Sequence, residues 1–128
     1  MTHFEKEGDE TLKGGNYSKA VEEYKAEEVL AEGRLKKALI AGKLKKARIK
    51  EGDQYMKEGK FFDAEICYAR AGDEGKKRIA LKKRADEYME KGDYFSAINC
   101  YKAAGEKGKA EKARMLKREH ALAYAGAY

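Results

Sequence analysis

The feature that most constrains the fold is a phrase that occurs three times, beginning at Gly8, Gly52 and Ala85 and aligning without a gap. Each copy carries a small residue, Asp, an apolar residue, glycine, an aromatic residue, alanine and tyrosine, in that order. The shared positions are Gly8, Asp9, Leu12, Gly15, Tyr17, Ala20 and Tyr24 in the first copy, Gly52, Asp53, Met56, Gly59, Phe61, Ala64 and Tyr68 in the second, and Ala85, Asp86, Met89, Gly92, Tyr94, Ala97 and Tyr101 in the third. Such self-similarity predicts a repeated structural unit.

The chemistry of the phrase predicts a helical hairpin. A glycine can adopt the left-handed conformation that ends a helix, and the aromatic residue two positions later begins the next one. In that second helix the aromatic residue, the alanine and the tyrosine are three and four residues apart, so they share one face. One hairpin cannot bury its own apolar face, and the copies must therefore stack.

This pattern resembles the tetratricopeptide repeat family. The residues that match the family pattern in the second copy are Gly52, Tyr55, Gly59, Phe61, Ala64 and Tyr68. The proline that usually ends each repeat is absent, because the chain contains no proline. The resemblance implies an all-α fold of stacked antiparallel helical hairpins, a tetratricopeptide-like α-solenoid.

The spacing of the copies predicts one lengthened helix. The second and third copies begin 33 residues apart, but the first and second begin 44 apart. The 11 additional residues make about three helical turns and keep the apolar face in register. We therefore expect a helix over 34–58 with an apolar stripe that includes Leu35, Leu39, Leu44 and Ala47, and with Gly42 as the place for a kink or a break.

About seven helices are expected in a single domain spanning 1–128. The predicted bounds are 2–14, 17–32, 34–58, 61–72, 76–91, 94–105 and 109–125. These form hairpins at 2–32, 34–72 and 76–105, with 109–125 as a helix that caps the open end of the array. The tail at 121–128 is apolar, which makes self-association through the C-terminal end an expectation.

The composition indicates in which cellular compartment the chain is expected to fold. No apolar run is long enough to span a membrane, and the polar N-terminus predicts neither a signal peptide nor an anchor. The two cysteines, Cys67 and Cys100, are too few for a disulfide scaffold, so we expect a cytoplasmic protein. Many charged residues (41%) and few amides are also typical of proteins from hot environments.

Nothing in the sequence predicts an enzyme, a cofactor or a metal site. His3 and His120 lie at opposite ends of the chain, and no phosphate-binding loop is present. Cys67 and Cys100 occupy the same place in two copies, which favours a repeated packing position over a nucleophile.

The resemblance also implies where a partner would bind. In the family, the first helix of each hairpin lines a concave groove that binds peptides. The aspartate row here, Asp9, Asp53 and Asp86, would favour a basic or amide-rich partner, although it could also recur only because the copies share an ancestor. The groove residues predicted in this way are Asp9, Leu12, Lys13, Ile49, Asp53, Met56, Lys57, Lys82, Asp86, Met89 and Glu90.

A basic run in the lengthened helix offers a second candidate surface. Between residues 34 and 50 there are eight positive charges and no negative charge. The run comprises Arg34, Lys36, Lys37, Lys43, Lys45, Lys46, Arg48 and Lys50. It could contact phosphates or an acidic protein, or its members could pair with acidic second helices.

Three functional classes remain after this reading. The first is a non-catalytic protein-interaction module or adaptor that binds a peptide or helix in the concave groove. The second is binding of nucleic acid or of an acidic protein through the helix at 34–50. The third is a repeat scaffold, designed or natural, without a specific ligand. We rank them in that order.

Overall fold

The computed structural model describes residues 2–126, and within that range all regular structure is helical. The helices are α1 (His3–Lys13), α2 (Tyr17–Leu30), α3 (Arg34–Lys57), α4 (Phe61–Ala71), α5 (Glu74–Glu90), α6 (Tyr94–Ala103) and α7 (Lys107–Gly126). The predicted all-α class is confirmed, and each predicted helix corresponds to one of these seven with ends that differ by a few residues.

The repeated glycines end helices as the phrase predicts. Gly59 follows α3 with φ +74° and Gly92 follows α5 with φ +77°, the left-handed region that an L side chain disfavours. The next helix then begins with a polar cap in two of the copies. Asn16 accepts a hydrogen bond from the backbone N–H of Lys19, and Asp93 accepts one from that of Ser96.

The lengthened helix is continuous. α3 runs from Arg34 to Lys57 without a break at Gly42, which is exposed. A glycine in a helix interior weakens it by about 1 kcal/mol relative to alanine, so the packing of α3 outweighs this penalty.

The apolar stripe predicted for α3 is partly wrong. Leu44 and Ala47 are buried as expected, but the residue buried one turn earlier is Ile40, which is fully buried. Leu35 and Leu39 are 82% and 56% exposed. The first turns of α3 therefore turn Ile40 inward and leave two leucines on the surface.

The chain contains two compact units, Met1–Glu74 and Gly75–Tyr128. In the first unit, α1 packs on α2, α2 on α3 and α3 on α4. Its core between α1, α2 and α3 contains Ala20, Val21, Tyr24, Leu44 and Ala47, with Leu12 partly buried against it. In the second unit, α6 packs on α7, and the core that they share with α5 contains Ala85, Ala97, Ile98, Cys100, Tyr101, Ala110 and Ala113.

The alanine and tyrosine positions form the core of every hairpin. Ala20, Ala64 and Ala97 are each fully buried, and the three tyrosines are at most 5% exposed. The alanines permit close approach of two helices, while the tyrosine rings fill the space beside them.

Candidate functional site

Each aspartate of the predicted row accepts a hydrogen bond from the tyrosine of its own hairpin. The Tyr24 hydroxyl donates to Asp9 Oδ1 at 2.5 Å, and the Tyr101 hydroxyl donates to Asp86 Oδ1 at 2.5 Å. The third bond is Tyr68 to Asp53 Oδ1 at 2.6 Å. The row thus has a structural role in all three hairpins: it satisfies a hydroxyl group whose ring lies in the core.

The small residue before each aspartate makes room for the same tyrosine. A Cβ atom added at Gly8 would lie 2.5 Å from Tyr24 Cε1, and one added at Gly52 would lie 2.6 Å from Tyr68 Cε1. In the third hairpin the equivalent residue is Ala85, which is fully buried. The small residue, the aspartate and the tyrosine therefore act together to hold the two helices of a hairpin.

Burial and the hydrogen bond between Tyr24 and Asp9 shift the pKa values of both side chains. Burial raises the pKa of Tyr24, and the hydrogen bond to Asp9 raises it further. Burial also acts to raise the pKa of Asp9, but the hydrogen bonds from Tyr24 and Lys43 outweigh it and hold that pKa below its ordinary 3.8. Both groups keep their neutral-pH charge states, tyrosine neutral and aspartate ionised, over a widened pH range.

The other predicted groove residues are distributed over α1, α3 and α5. Leu12 and Met89 are partly buried against the cores of their units, and Lys82 lies 3.9 Å from Glu106. Half-buried side chains of α3 in the set are Ile49 and Met56. Those that are exposed are Lys13, Lys57 and Glu90. Partner binding by these residues stays a prediction. The three aspartates among them also have an intramolecular role, as acceptors for the tyrosines.

Some cations of the basic run are engaged in contacts within the first unit and are therefore less available to bind a partner. Lys43 Nζ lies 2.9 Å from both Glu5 Oε1 and Asp9 Oδ2, so it links α3 to α1. Lys36 Nζ lies 4.0 Å from Glu27 Oε1. Of the remaining members, Arg48 donates to the backbone oxygen of Arg70 at 3.4 Å. Lys50 is half-buried. The exposed members of the run are Arg34, Lys37, Lys45 and Lys46.

Buried carboxylates around α2 are a feature that the sequence reading missed. Glu27 is 1% exposed, and its carboxylate faces Lys36 at the edge of ion-pair distance. Glu23 is 8% exposed and accepts a hydrogen bond from the Thr11 hydroxyl at 2.8 Å. The signal was present, because both glutamates share a helical face with Ala20 and Tyr24, but acidic residues are ordinarily assigned to the solvent.

Several clefts lie on the surface of the described residues, and three of them bear on function. The first, about 460 Å³, lies in the first unit beside the start of α3, where Leu35, Leu39 and Ile40 meet Glu5 of α1. The second, about 410 Å³, lies in the second unit between α6 and α7. The third, about 330 Å³, lies between α2, α3 and α4 and includes Glu51. None of them was predicted, because each depends on which helices are neighbours.

The third cleft contains Cys67, whose thiol has a carboxylate partner. The Cys67 thiol donates to Glu51 Oε1 at 3.1 Å, and the Ser18 hydroxyl donates to Glu51 Oε2 at 2.5 Å. Burial and then the Glu51 carboxylate raise the pKa of Cys67 to about 12. A thiol with such a pKa is almost entirely protonated at neutral pH and is a poor nucleophile. Its geometry agrees with the packing role predicted for it.

The described residues contain neither a candidate metal site nor a candidate membrane-spanning helix. Between residues 2 and 126 no group of three or more His, Cys, Asp and Glu side chains is placed to hold a metal ion. Over the same range, no helix has both the length and the apolar character needed to cross a membrane. The predicted C-terminal contact is exposed from Ala121 to Gly126, and its last two residues lie outside the described part of the chain.

No protein-family model, no curated protein and no solved structure matches this sequence. The tetratricopeptide resemblance therefore stays a resemblance, carried by the repeated phrase and by the hairpins that the phrase builds.

Proposed function

We propose that this chain is a non-catalytic protein-interaction module that holds a helical segment of a partner protein against the first turns of α3. The observation that carries the proposal is the exposure of Leu35 and Leu39. They are four residues apart and so share one face of α3, and both line the cleft beside Ile40 and Gly33. An apolar stripe at helical spacing in a concave site suits the apolar face of an incoming helix.

The occupant follows from the way that this fold covers its own apolar faces. Every hairpin here buries apolar residues of one helix against another helix, and a repeat array requires a neighbour on each open face. Complete burial of two leucines contributes roughly 3–6 kcal/mol before the costs of association. A micromolar complex requires a net gain of about 8 kcal/mol, so the two leucines supply only part of the binding free energy and other contacts of the partner helix must supply the rest.

The other two classes have less support. Nucleic-acid binding through the basic run would lack two of its eight cations, because Lys43 is held by Glu5 and Asp9 and Lys36 faces the buried Glu27. A scaffold without a ligand would have no reason to leave two large apolar side chains together in a cleft. A catalytic role for Cys67 is disfavoured by its raised pKa.

The test is a selection of helix-forming peptides from a displayed library on the wild-type chain, followed by fluorescence anisotropy with a selected peptide. We expect Leu35→Ser/Leu39→Ser to weaken binding at least about 10-fold, which corresponds to about 1.4 kcal/mol. The matched control is Ile79→Ser/Leu122→Ser, which alters two other exposed apolar residues, 54% and 72% exposed. It should change the affinity less than about 2-fold.

Equal weakening by both double variants would refute the site. A selected peptide that ignores Leu35 and Leu39 but loses affinity when Met56 becomes serine would return the function to the predicted groove residues. Failure to select any peptide would contradict the proposed function itself.

A further inference from the structure

The cleft between α6 and α7 has an apolar floor and an aromatic wall. Ile98, 7% exposed, forms part of the floor, and Phe95 stands 64% exposed at the start of α6. Ala121 of α7 lies on the opposite side. An exposed phenylalanine beside a buried isoleucine offers room and contact for one apolar side chain of a ligand.

The rim of this cleft is positively charged. Its cations are Lys102 of α6 and Arg114, Lys117 and Arg118 of α7, and no carboxylate is among the described side chains that line it. Arg114 pairs with Glu111 at 2.8 Å, one turn earlier on α7. Four like charges, one of them paired with Glu111, surround a concave apolar surface; they repel each other and favour an anionic partner.

The position of Lys117 distinguishes between two classes of anionic partner. Its Nζ atom lies 5.2 Å from the centroid of the Phe95 ring, so the cation occupies a face of that ring. Binding of a single-stranded nucleic acid depends on bases stacking on open aromatic faces. A side chain that enters the cleft against Ile98 and the ring edge is compatible with the lysine where it stands. The arrangement favours a peptide over a nucleic acid.

We propose that the cleft between α6 and α7 binds an acidic segment of a partner protein, with one apolar side chain between Phe95 and Ile98 and carboxylates facing Lys102, Lys117 and Arg118. This inference goes beyond the proposed function, because it concerns a second surface in a different unit and a partner of defined charge. The apolar contact supplies affinity, and the rim selects against neutral or basic segments.

The probe is a fluorescein-labelled synthetic peptide of 12 residues with Phe-Leu at its centre and glutamates on both sides. Three control probes separate the contributions: the same peptide with glutamine for every glutamate, the same peptide with Ala-Ala for Phe-Leu, and a 12-nucleotide oligothymidine. Affinity is measured by anisotropy on the full chain. We expect the first peptide to bind at least about 10-fold more tightly than each control probe.

The decisive variant is Lys117→Glu/Arg118→Glu. It should weaken the acidic peptide at least about 10-fold, because it reverses two charges on the rim. The matched control is Lys83→Glu/Lys91→Glu, which makes the same charge change at two exposed lysines of the same unit that do not line the cleft. A second variant, Phe95→Ala, should remove the advantage of Phe-Leu over Ala-Ala while leaving the dependence on glutamate.

The proposal is overturned if both double variants weaken binding equally, since that result would mean net charge alone. It is also overturned if Phe-Leu and Ala-Ala peptides bind alike. Tighter binding of oligothymidine that depends on Lys117 and Arg118 would identify a nucleic-acid site instead. Because the peptide-library test depends on Leu35 and Leu39, either proposal can fail without the other.

Discussion

Lys43 provides a sharp test of the packing in the first unit. It belongs to the basic run, as do Lys45 and Lys46 close by in the sequence. In the structure its ammonium group contacts Glu5 and Asp9 at 2.9 Å each, and its side chain is 27% exposed, whereas the other two lysines are exposed. The same substitution should therefore have different effects at positions two and three residues apart.

The magnitude follows from these contacts. A hydrogen bond to a charged group contributes about 1.5–3 kcal/mol, and partial exposure places the pair of bonds near the lower end, so Lys43→Met should lower the free energy of unfolding by about 2 kcal/mol. Lys43→Glu adds a third carboxylate. Two like charges 4 Å apart repel by about 4 kcal/mol at an effective dielectric constant near 20, and rotation toward solvent reduces this. We expect a total loss of about 3–4 kcal/mol.

Thermal denaturation followed by circular dichroism measures the difference. A loss of 1 kcal/mol lowers Tm by about 4 °C in a domain of this size, so Lys43→Glu should lower it by more than about 10 °C. Lys45→Glu and Lys46→Glu should change the unfolding free energy by less than about 0.5 kcal/mol. If the three charge reversals lower Tm equally, the assignment of Lys43 to a link between α1 and α3 is wrong.

The stability that this link between α1 and α3 contributes should also depend on pH, and it should be lost at both high and low pH. Lys43 has its pKa raised above the ordinary 10.5: burial acts to lower it, but the bonds to Glu5 and Asp9 prevail. Its contribution is therefore complete below pH 10.5 and is lost as pH rises through the raised pKa. Asp9 has a lowered pKa, so its contribution is complete above pH 3.8 and is lost as pH falls through the lowered pKa. The stability difference between wild type and Lys43→Met should be largest between those limits.

Three further predictions concern the core, the thiol and the length of α3. Ala97→Glu places a charge at a fully buried position and should lower the unfolding free energy by several kcal/mol; an unchanged Tm would contradict the hairpin packing. Alkylation of Cys67 by iodoacetamide at pH 8 should be at least about 100-fold slower in the native chain than in urea, and Glu51→Gln should accelerate it; equal rates would exclude the buried thiol–carboxylate bond. Deletion of Leu35–Lys45 keeps helical phase but removes Ile40 and Leu44 from the core, so we expect loss of the cooperative melt of the first unit; an intact melt would mean that α1 and α2 do not need this part of α3.

The helices could be predicted because their ends depend on local chemistry. Gly59 and Gly92 mark helix ends through their own backbone freedom, and the alanine and tyrosine positions follow from helical spacing within one hairpin. The lengthening of α3 also follows from the insertion, since 11 residues complete about three turns, but its continuity through Gly42 did not, because a glycine in a helix interior can be the site of a kink or a break. These features needed no knowledge of which helices touch.

The neighbours of α3 could not be predicted in the same way. Leu35 and Leu39 fit a helical stripe as well as Ile40 and Leu44 do, and only the positions of α1 and α2 decide which stripe is buried. The role of Lys43 is equally nonlocal. The link between each aspartate and its tyrosine was accessible, because the two residues are 15 apart in all three copies and the aspartate always follows a small residue. The family resemblance directed attention instead to the groove that the first helix of each hairpin would line.

The continuity of α3 has a consequence for how the first unit opens and closes. Its first half carries Lys43 and Leu44, which hold α1 and α2, and its second half carries Gly52 and Asp53, which hold Tyr68 of α4. The backbone of α3 is helical without interruption between these two halves. The contacts with α1 and α2 and the contacts with α4 therefore both depend on the same helix. We expect amide hydrogens at the centre of α3 to exchange with solvent only through an opening that involves both hairpins at once, while those of α1 exchange through smaller openings of their own.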